Sequence, residues 1–563
     1  MSRRLIVALL ALAIATPAAA APGKITKRST KAAKPTTKST RKVSNPEKRG
    51  AAARVTFARA GELRTTKDVV VGRREEPLTL EEQTAADIAK LLRSPGLRNG
   101  VTGLFVADAK TGEPLFAVNA EDSFNPASNV KMISTATALD LLGPDFRYPT
   151  RLLGPQPVGG VVKGDVYLLG SHDPTLTSSD LEDIAAELDR RGITSIEGGI
   201  VVGTDPTRDG IFRAIVPVDI RAGAPGAAPT FAQPVGTEHV TVVVTAKTNK
   251  KKQRARLTYK TETITEAGKA SRIVLTVGGT IGKDGSARYP LWTRERTTTA
   301  AFALRAALHA RNIAISGDMK MMELGDFVGD TVAAGGVPVE LGRHESRKLS
   351  DIVARINKWS VNWLADRVVM TAAALARQEP PSMKIALEEM YAWLARHPHL
   401  ATKDVVLDTG SGLSYKTQIS PTDLVAIIRS AAGFAGGTDG HVAQAWVDSL
   451  AIARTDGTLR SRLRGTAQPA RVRGKTGTLS TVIAVSGILD IDPNRPLAFS
   501  LVTNTDVPLS KVRVRQAHDK VLGLLSSYVA KTTLVTPAAV AEPPPVVYET
   551  QPPPEAAGLA APS

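Results

Sequence analysis

The spacing of apolar residues changes several times along the chain, which predicts a protein built from both helices and strands. Apolar residues recur at helical spacing in the segments 84–93, 128–142, 179–191, 298–311, 348–376, 382–396 and 511–529. Alternating or continuous apolar runs that predict strands lie at 101–108, in parts of 160–250, at 253–280, and at 480–491 and 496–504, the last two flanking an Asp-Pro-Asn turn. No repeat of fixed period is apparent in the sequence.

Both ends of the chain lack these patterns. Met1–Ala20 has two arginines, an apolar run of about 12 residues and an Ala-x-Ala site, which predicts a cleavable signal peptide rather than a membrane span of about 20 apolar residues. An uncut N-terminal anchor is the alternative. Residues 21–76 predict a basic disordered linker and 532–563 a Pro-rich disordered tail, because neither has enough large apolar side chains to offset the entropy of folding. We therefore expect an exported, periplasmic protein.

Composition and charge exclude several classes of protein. The chain has 563 residues and no Cys, which excludes disulfide scaffolds, Cys-ligated zinc, Fe–S clusters and cysteine nucleophiles. The net charge of +18 is typical of a nucleic-acid-binding protein, but about 15 of these charges lie in residues 1–74. The remaining chain is nearly neutral, so no nucleic-acid partner is predicted. The basic linker is either a flexible tether or an electrostatic contact to anionic envelope polymers or lipid headgroups.

Three short motifs occur in one order along the chain: Ser128-x-x-Lys131, Ser360-x-Asn362 and Lys475-Thr476-Gly477. Each is weak alone, because each has a second copy: Ser39/Lys42, Ser123/Asn125 and Lys110–Gly112. The second copies lie in the basic linker, five residues before Ser128, and in a turn, where they cannot form separate walls of one cleft. A helix start, a polar cap and a turn before an edge strand are the structural alternatives for the ordered trio.

The residue types in this trio predict nucleophilic catalysis by serine. Serine and lysine at i and i+3 share a helix face, so a neutral amine can remove the proton of the hydroxyl. Burial and a second cation lower the pKa of a lysine. Lys475 could be that cation, or could hold a substrate carboxylate with the hydroxyls of Thr476 and Thr478. Gly477 would let a substrate approach the strand closely, and the backbone N–H groups of Ser128 and Thr478 would form an oxyanion hole.

Other catalytic motifs do not fit the chain. The segment before Thr476 is similar to the end of a phosphate-binding loop, but Pro469 stands where the first glycine is required. Neither a His-Glu-x-x-His motif nor a Gly-x-Ser-x-Gly motif occurs in the sequence. Neither a metal nor a cofactor is predicted.

The ordered motifs and their flanks resemble the class C low-molecular-mass penicillin-binding proteins. These are D-alanyl-D-alanine carboxypeptidases/endopeptidases of the DacB type, peptidase family S13. The similar segments are Asn125–Lys131 (NPASNVK), Gly164–Leu176 (GDVYLLGSHDPTL), 354–366 (ARINKWSVNWLAD), Asp408–Ser414 (DTGSGLS), Ser449–Leu459 (SLAIARTDGTL) and Arg473–Thr478 (RGKTGT). The resemblance covers roughly residues 80–530.

The resemblance implies an α+β fold of the penicillin-binding-protein/β-lactamase-like transpeptidase type. An antiparallel sheet flanked by helices, with a helical subdomain, would form from residues 77–154 and 346–531, and 155–345 would be one or two inserted β-rich domains. By resemblance, Ser128 is the acylated nucleophile and Lys131 its general base. Ser360 and Asn362 relay protons and position the substrate. The terminal carboxylate binds at the motif Lys475, Thr476, Gly477 and Thr478.

The chain departs from the family pattern in three places. Thr409 is an extra residue in its box, and the glycine-rich turn is Gly170-Ser171-His172-Asp173-Pro174. The stretch after Val202 lacks the aromatic residues that usually line the pocket for the stem-peptide side chain, and Asp209 is the candidate acidic residue of that pocket. The side-chain specificity is therefore not predicted.

The resemblance implies a serine-type D-Ala-D-Ala carboxypeptidase that acts on peptidoglycan stem peptides and is acylated by β-lactams. Endopeptidase action on cross-links is a further expectation. The alternatives are a catalytically weak wall-binding or scaffold protein on the same fold, and a β-lactamase, which only the deacylation rate would distinguish. The oligomeric state is not predicted.

Overall fold

A computed structural model describes residues 78–535, apart from 204–214, 235–236, 238, 265–271, 293–295, 398–403, 465–470 and 509. The predicted signal peptide, the basic linker, Asp209 and nearly all of the Pro-rich tail lie outside the described residues. Within these ranges, no helix combines the length and the apolar character that a bilayer span requires.

Helices and strands alternate irregularly along the described chain. The α-helices are α1 (Leu80–Leu92), α2 (Lys131–Leu142), α3 (Glu182–Arg190), α4 (Arg296–Ala310), α5 (Leu324–Ala333), α6 (Leu349–Trp359), α7 (Asn362–Arg377), α8 (Met383–Ala395), α9 (Pro421–Ala431), α10 (Gly440–Ser449) and α11 (Lys511–Val535). Short 3₁₀ helices lie at Ala127–Val130, Ser178–Leu181 and Gly457–Leu459.

The strands form several sheets. They are β1 (Val101–Asp108), β2 (Pro114–Val118), β3 (Pro149–Gly154), β4 (Val161–Val162), β5 (Val166–Leu169), β6 (Ser195–Ile196), β7 (Ile200–Gly203), β8 (Ile215–Arg221), β9 (Thr230–Ala232), β10 (Val240–Val244), β11 (Lys247–Thr248), β12 (Arg256–Ile264), β13 (Arg272–Ile281), β14 (Ser286–Trp292), β15 (Ala314–Ile315), β16 (Lys320–Met322), β17 (Val339–Glu345), β18 (Ala451–Ile452), β19 (Val472–Thr478), β20 (Val482–Leu489) and β21 (Leu497–Asn504).

The largest sheet joins the two ends of the described chain in the order β18-β19-β20-β21-β1-β2, and all its neighbouring strands are antiparallel. β20 is buried at every position, so both faces of this sheet are covered. Successive side chains of a strand point to opposite faces. Leu104 of β1 accordingly packs into a cluster with α1 and α11, and Phe105 packs into a second cluster with α2, α7 and α9. The sheet therefore lies between two helical layers.

The segment between β3 and β17 builds sheets of its own. β3 pairs antiparallel with β17 from Pro149↔Glu345 to Gly154↔Val339, so the chain leaves and returns at one place. One apolar cluster packs around α3 and α4, and a second lies between the sheets β14-β8-β9 and β10-β13-β11, the latter with β12 beside β13. These cores are separate from the two that cover the largest sheet. The predicted domain boundaries themselves stay a prediction.

Candidate active site

The candidate nucleophile and base lie where a short 3₁₀ helix continues into α2. Ser128 belongs to the 3₁₀ turn, and Lys131 is the first residue of α2. Every residue from Lys131 to Leu139 is buried, so α2 runs through the interior of the helical layer. Lys131 Nζ lies 2.9 Å from Ser128 Oγ. The predicted serine–lysine pair is thus formed at hydrogen-bond distance.

Two oxygens from other parts of the chain hold the amine of Lys131. Nζ donates to Asn362 Oδ1 at 2.7 Å and to the carbonyl oxygen of Ser411 at 2.6 Å. Asn362 is the first residue of α7, and Ser411 lies in the loop before α9. Three segments that are distant in sequence therefore converge on one amine, whose position is set by acceptors on two sides.

The environment of Lys131 lowers the pKa of its amine toward neutral pH. Burial lowers the pKa of Lys131 from its ordinary 10.5 to about 7, and the nearby Asp366 carboxylate opposes this shift. Asp366 Oδ1 accepts a hydrogen bond from the backbone N–H of Ser411 at 2.7 Å, and burial raises the pKa of Asp366. The neutral form of the Lys131 amine is therefore far more accessible at neutral pH than that of an exposed lysine.

Ser360 lies at a break between two helices that apolar spacing predicts as one, 348–376. α6 ends at Trp359, Ser360 adopts φ +56° in the left-handed region, and α7 begins at Asn362. This conformation ends α6, and a non-glycine residue in it is uncommon. The break places the Ser360 hydroxyl in the cleft, where Oγ accepts from Lys475 Nζ at 2.8 Å.

Lys475 is the second buried amine of the cleft. It is fully buried in β19, and Nζ also donates to the carbonyl oxygen of Thr476 at 2.8 Å. Burial lowers the pKa of Lys475 well below its ordinary value, and the nearby Lys131 cation lowers it further. Both predicted lysines therefore lie in one electrostatic environment.

One edge of β19 is open to the cleft over the second half of the strand. β18 pairs only with Arg473 and Gly474, and no other described strand pairs with that edge of β19. Ala453 N–H donates to the Val472 carbonyl, so Val472 points toward this edge. Since backbone groups alternate along a strand, those of Thr476 and Thr478 point the same way. The cleft thus presents to a substrate an edge of β19 that no described strand covers at Thr476 and Thr478.

Two glycines allow the backbone segments of the cleft to approach closely. A Cβ on Gly477 would lie 2.5 Å from the carbonyl oxygen of Pro126, so only glycine lets β19 contact the nucleophile turn. Gly412 has φ +71°, and a Cβ there would lie 2.0 Å from the carbonyl oxygen of Ala127. The turn that carries Ser128 is therefore clamped between β19 and the loop before α9.

The structure brings together the predicted site residues that it describes. Thr476 Oγ1 donates to Thr458 Oγ1 at 2.9 Å, and Arg515 of α11 donates to Thr478 Oγ1 at 3.0 Å. Asp366, Ser411 and Arg515 were not predicted as site residues. The box DTGSGLS contains Ser411 and was the available signal for it, whereas no local pattern marks Arg515. In the described ranges, no group of three His, Cys, Asp or Glu could hold a metal ion.

Comparison with known proteins identifies the family. Residues 84–527 match the model of the D-Ala-D-Ala carboxypeptidase 3 (S13) family. This span is most of the chain, and the chain therefore belongs to that family. The D-alanyl-D-alanine carboxypeptidase of Actinomadura sp. (strain R39) is 29% identical over 460 residues, which are 74% of this chain and 80% of that protein.

Solved structures show the same fold. Penicillin binding protein 4 (dacB) from Haemophilus influenzae superposes with a TM-score of 0.58 at 18% identity, covering 78% of this chain and 99% of that chain. Its complex with a novel β-lactam gives a TM-score of 0.59 at 19% identity with the same coverage. The predicted family, the penicillin-binding-protein type of fold and the enzyme class, a serine-type D-Ala-D-Ala carboxypeptidase, are confirmed.

Proposed function

We propose that this protein releases D-alanine from peptidoglycan stem peptides through an acyl-enzyme at Ser128. One observation carries the proposal: the buried amine of Lys131 lies 2.9 Å from Ser128 Oγ and has a pKa of about 7. A neutral amine has two N–H donors and one lone pair. Asn362 Oδ1 and the Ser411 carbonyl take the two donors. The lone pair is then left for the proton of the Ser128 hydroxyl.

Acylation follows from this arrangement. As Ser128 Oγ forms a bond to the carbonyl carbon between the two D-alanines, its proton passes to Lys131 Nζ. The negative charge moves to the carbonyl oxygen, which the backbone N–H groups of Ser128 and Thr478 stabilise; each such donor contributes about 10²–10³ in rate. The C–N bond then breaks, and the proton on Lys131 Nζ passes by way of the Ser360 hydroxyl to the leaving amine, which returns Lys131 to its neutral form. Ser360 Oγ is 2.8 Å from Lys475 Nζ.

The terminal carboxylate of the substrate defines its direction in the cleft. Arg515 provides positive charge along β19, and Lys475 and the hydroxyls of Thr476 and Thr478 provide hydrogen-bonding groups. A peptide that pairs with the open edge of β19 gains main-chain hydrogen bonds there. Its C-terminus then lies near Lys475, and its preceding residues extend past Thr478.

Hydrolysis of the acyl-enzyme completes the turnover. A water molecule gives a proton to the neutral Lys131 amine and attacks the ester, and Ser128 recovers its proton as the C–O bond breaks. A β-lactam would acylate the same serine, and its ring opening replaces departure of the amine. The β-lactam complex of the H. influenzae protein supports this part of the proposal.

The two predicted N-terminal segments are consistent with this substrate. We propose that Met1–Ala20 directs export to the periplasm, where peptidoglycan lies, and that residues 21–76 tether the enzyme at the wall. N-terminal sequencing of the protein recovered from the periplasm tests this point. A protein that stays in the cytoplasm with Met1 intact would contradict it.

The variant Ser128→Ala tests the catalytic proposal. We expect no covalent label from a fluorescent penicillin and a fall in D-Ala release from a diacylated D-Ala-D-Ala peptide of at least about 10³-fold. Ser123→Ala is the matched control, because Ser123 lies in the same segment, is exposed, and donates only to Gln418 at 3.3 Å among the bonds found for its hydroxyl. Absence of label on the unaltered protein, or equal labelling of both variants, would overturn the proposal.

Endopeptidase action is the finer part of the proposal. The open edge of β19 would accept a cross-linked peptide if the acyl acceptor leaves on the Lys475 side. Mass spectrometry of the products from cross-linked muropeptides separates the two activities. Release of D-Ala without loss of cross-links would leave a carboxypeptidase alone.

A further inference from the structure

The end of α6 and the loop between β18 and β19 meet at one end of the cleft. A Cβ on Gly457 would lie 2.4 Å from the carbonyl oxygen of Lys358, so this loop touches the last turn of α6. The next residue of the loop, Thr458, accepts a hydrogen bond at its Oγ1 from Thr476 Oγ1 at 2.9 Å. The loop therefore contacts the helix that leads to Ser360 and the strand that carries the proposed carboxylate site.

An exposed tryptophan stands at this end of the cleft. Trp359 is the last residue of α6 and the neighbour of Ser360, and it is 53% exposed. The guanidinium carbon of Arg460 lies over the indole ring, 5.3 Å from its centre, which is a cation–π contact. Tryptophan is highly buried on average in folded proteins. Here a large aromatic ring is instead available to a ligand one residue away from a catalytic hydroxyl.

The same loop carries positive charge beside the ring. Arg454 and Arg460 are exposed, and no ion pair among the described residues includes either of them. The backbone N–H of Arg454 donates to the carbonyl oxygen of Leu459 at 3.1 Å, so the backbones of the two arginines are close. Trp359, Arg454 and Arg460 together form what we call the leaving-group surface. It combines an aromatic face with cations that lack a carboxylate partner in the described chain.

The leaving group of the reaction lies at this end of the cleft. This step rests on the proposed function, in which the terminal carboxylate of the substrate lies near Lys475. When D-Ala is released, the substrate ends there. In a cross-link, the residue that bears this carboxylate is a diamino acid of a second stem peptide, which continues outward through its side chain. That peptide has aliphatic carbons and further carboxylates, which complement an aromatic and cationic surface.

We propose that the leaving-group surface binds the departing stem peptide of a cross-linked substrate. The ring of Trp359 covers the methylene groups of the diamino acid, and the guanidinium groups of Arg454 and Arg460 pair with carboxylates of its peptide. The amide that breaks and the path of the proton to the leaving amine are those of D-Ala release. Only the leaving group differs, and the surface therefore favours cross-links over pentapeptide ends.

Two substrates with the same acyl donor test this proposal. One is a monomeric pentapeptide, which loses D-Ala, and the other is a dimer of tetrapeptides joined by a cross-link. The measured quantity is kcat/KM for the dimer divided by kcat/KM for the pentapeptide. We expect Trp359→Ala and Arg460→Gln each to lower this ratio about 5- to 10-fold. Arg460→Lys should restore part of it, and added salt should lower it more in the unaltered protein than in Arg460→Gln.

Exposed residues of the inserted segment provide matched controls. Phe231 of β9 is 44% exposed, and Arg254 is exposed in the loop between β11 and β12. Phe231→Ala and Arg254→Gln should leave the ratio unchanged. Thermal unfolding shows that each variant is folded. Trp359→Phe keeps an aromatic ring next to Ser360 and should lower the ratio less than Trp359→Ala, whereas a general disturbance of Ser360 would slow both substrates alike and leave the ratio unchanged.

A binding measurement separates this inference from the catalytic proposal. In the Ser128→Ala background, calorimetry with the cross-linked dimer should give a Kd that Arg460→Gln weakens by a similar factor. An unchanged ratio and an unchanged Kd in the surface variants would overturn the assignment of the surface. Release of D-Ala by the unaltered protein without any cleavage of the dimer would overturn it as well and leave the carboxypeptidase in place. Failure to release D-Ala from the pentapeptide would count against the proposed function, and the Kd for the dimer would then decide the inference alone.

Discussion

Lysines in two regions of the molecule have opposite environments. Lys131 and Lys475 are fully buried in the cleft, where carbonyl, amide and hydroxyl oxygens accept from their amines. In the inserted segment, Lys250, Lys251 and Lys252 follow one another in the exposed loop between β11 and β12. Among the described ion pairs, the loop has only a contact of 3.5 Å between Lys252 and the exposed Asp284.

The difference shows that burial, not residue type, makes a lysine a base. A fully solvated ammonium keeps its proton at neutral pH and interacts weakly with its neighbours in salt. In the cleft the same group has a pKa of about 7 at Lys131, because the charged form lacks water around it. The apolar residues around α2 therefore set the pKa of Lys131 as well as the shape of the cleft.

Of the substitutions that compare the buried and the exposed lysines, Lys131→Met should have the largest effect on the rate of acylation. The variant keeps an unbranched side chain but removes the amine, and general-base catalysis contributes about 10²–10⁴-fold. We expect the rate of acylation by a fluorescent penicillin to fall by about that factor. Lys251→Met, in the exposed loop, is the matched control and should keep the full rate. Equal rates in the two variants would remove Lys131 from the mechanism.

The same pair of variants should differ in stability. Between pH 7 and 10.5 the unfolded Lys131 binds a proton that the folded amine lacks, so its contribution to the free energy of unfolding rises with pH. Lys131→Met removes this pH-dependent contribution and the cost of burying the amine. We expect a smaller rise in stability from pH 7 to 9 than in Lys251→Met, measured by urea unfolding at each pH.

The next largest effect should come from Gly477→Ala. The added Cβ would lie 2.5 Å from the carbonyl oxygen of Pro126 and would push β19 away from the nucleophile turn. A misplacement of about 1 Å can cost about 10²-fold in rate, and we expect that loss in penicillin acylation. Gly325→Ala in α5 is the control, because no described atom outside the adjoining residues and helix backbone lies within 4 Å of its added Cβ. A fully active Gly477→Ala would show that the contact is not required.

Local patterns predicted most of this site but not its finer geometry. The helix spacing placed Ser128 and Lys131 on one face, and the strand at 480–491 is close to the observed β20. The same spacing continued through Ser360 because the flanking residues are all compatible with a helix. The left-handed turn at Ser360 carries a hydroxyl whose partner, Lys475 of β19, is 115 residues away in the sequence. Arg515 was missed for the same reason, since only the tertiary fold brings it to the cleft. Asp366 had a local signal, because it lies four residues after Asn362 on α7 and ends the similar segment 354–366.

The smallest expected effect is that of Asp366→Asn, because Asp366 only shifts the pKa of the base, Lys131. Its carboxylate opposes the downward shift of the Lys131 pKa, so Asp366→Asn should lower that pKa further. The asparagine oxygen can still accept from Ser411 N–H, which keeps the loop in place. More of the Lys131 amine is then neutral below pH 7, and the acid limb of the acylation profile should move to lower pH. The ratio of the rate at pH 6 to the rate at pH 8 should therefore rise in Asp366→Asn.

Asp284→Asn is the matched control for Asp366→Asn. Asp284 lies 3.5 Å from Lys252 at the exposed edge of the inserted segment, where solvent and salt screen the pair. Asp284→Asn should leave the profile where it is in the unaltered protein. A shift of the Asp366→Asn profile to higher pH would mean that the carboxylate acts on Lys131 through the Ser411 loop, because removing its charge alone can only lower that pKa.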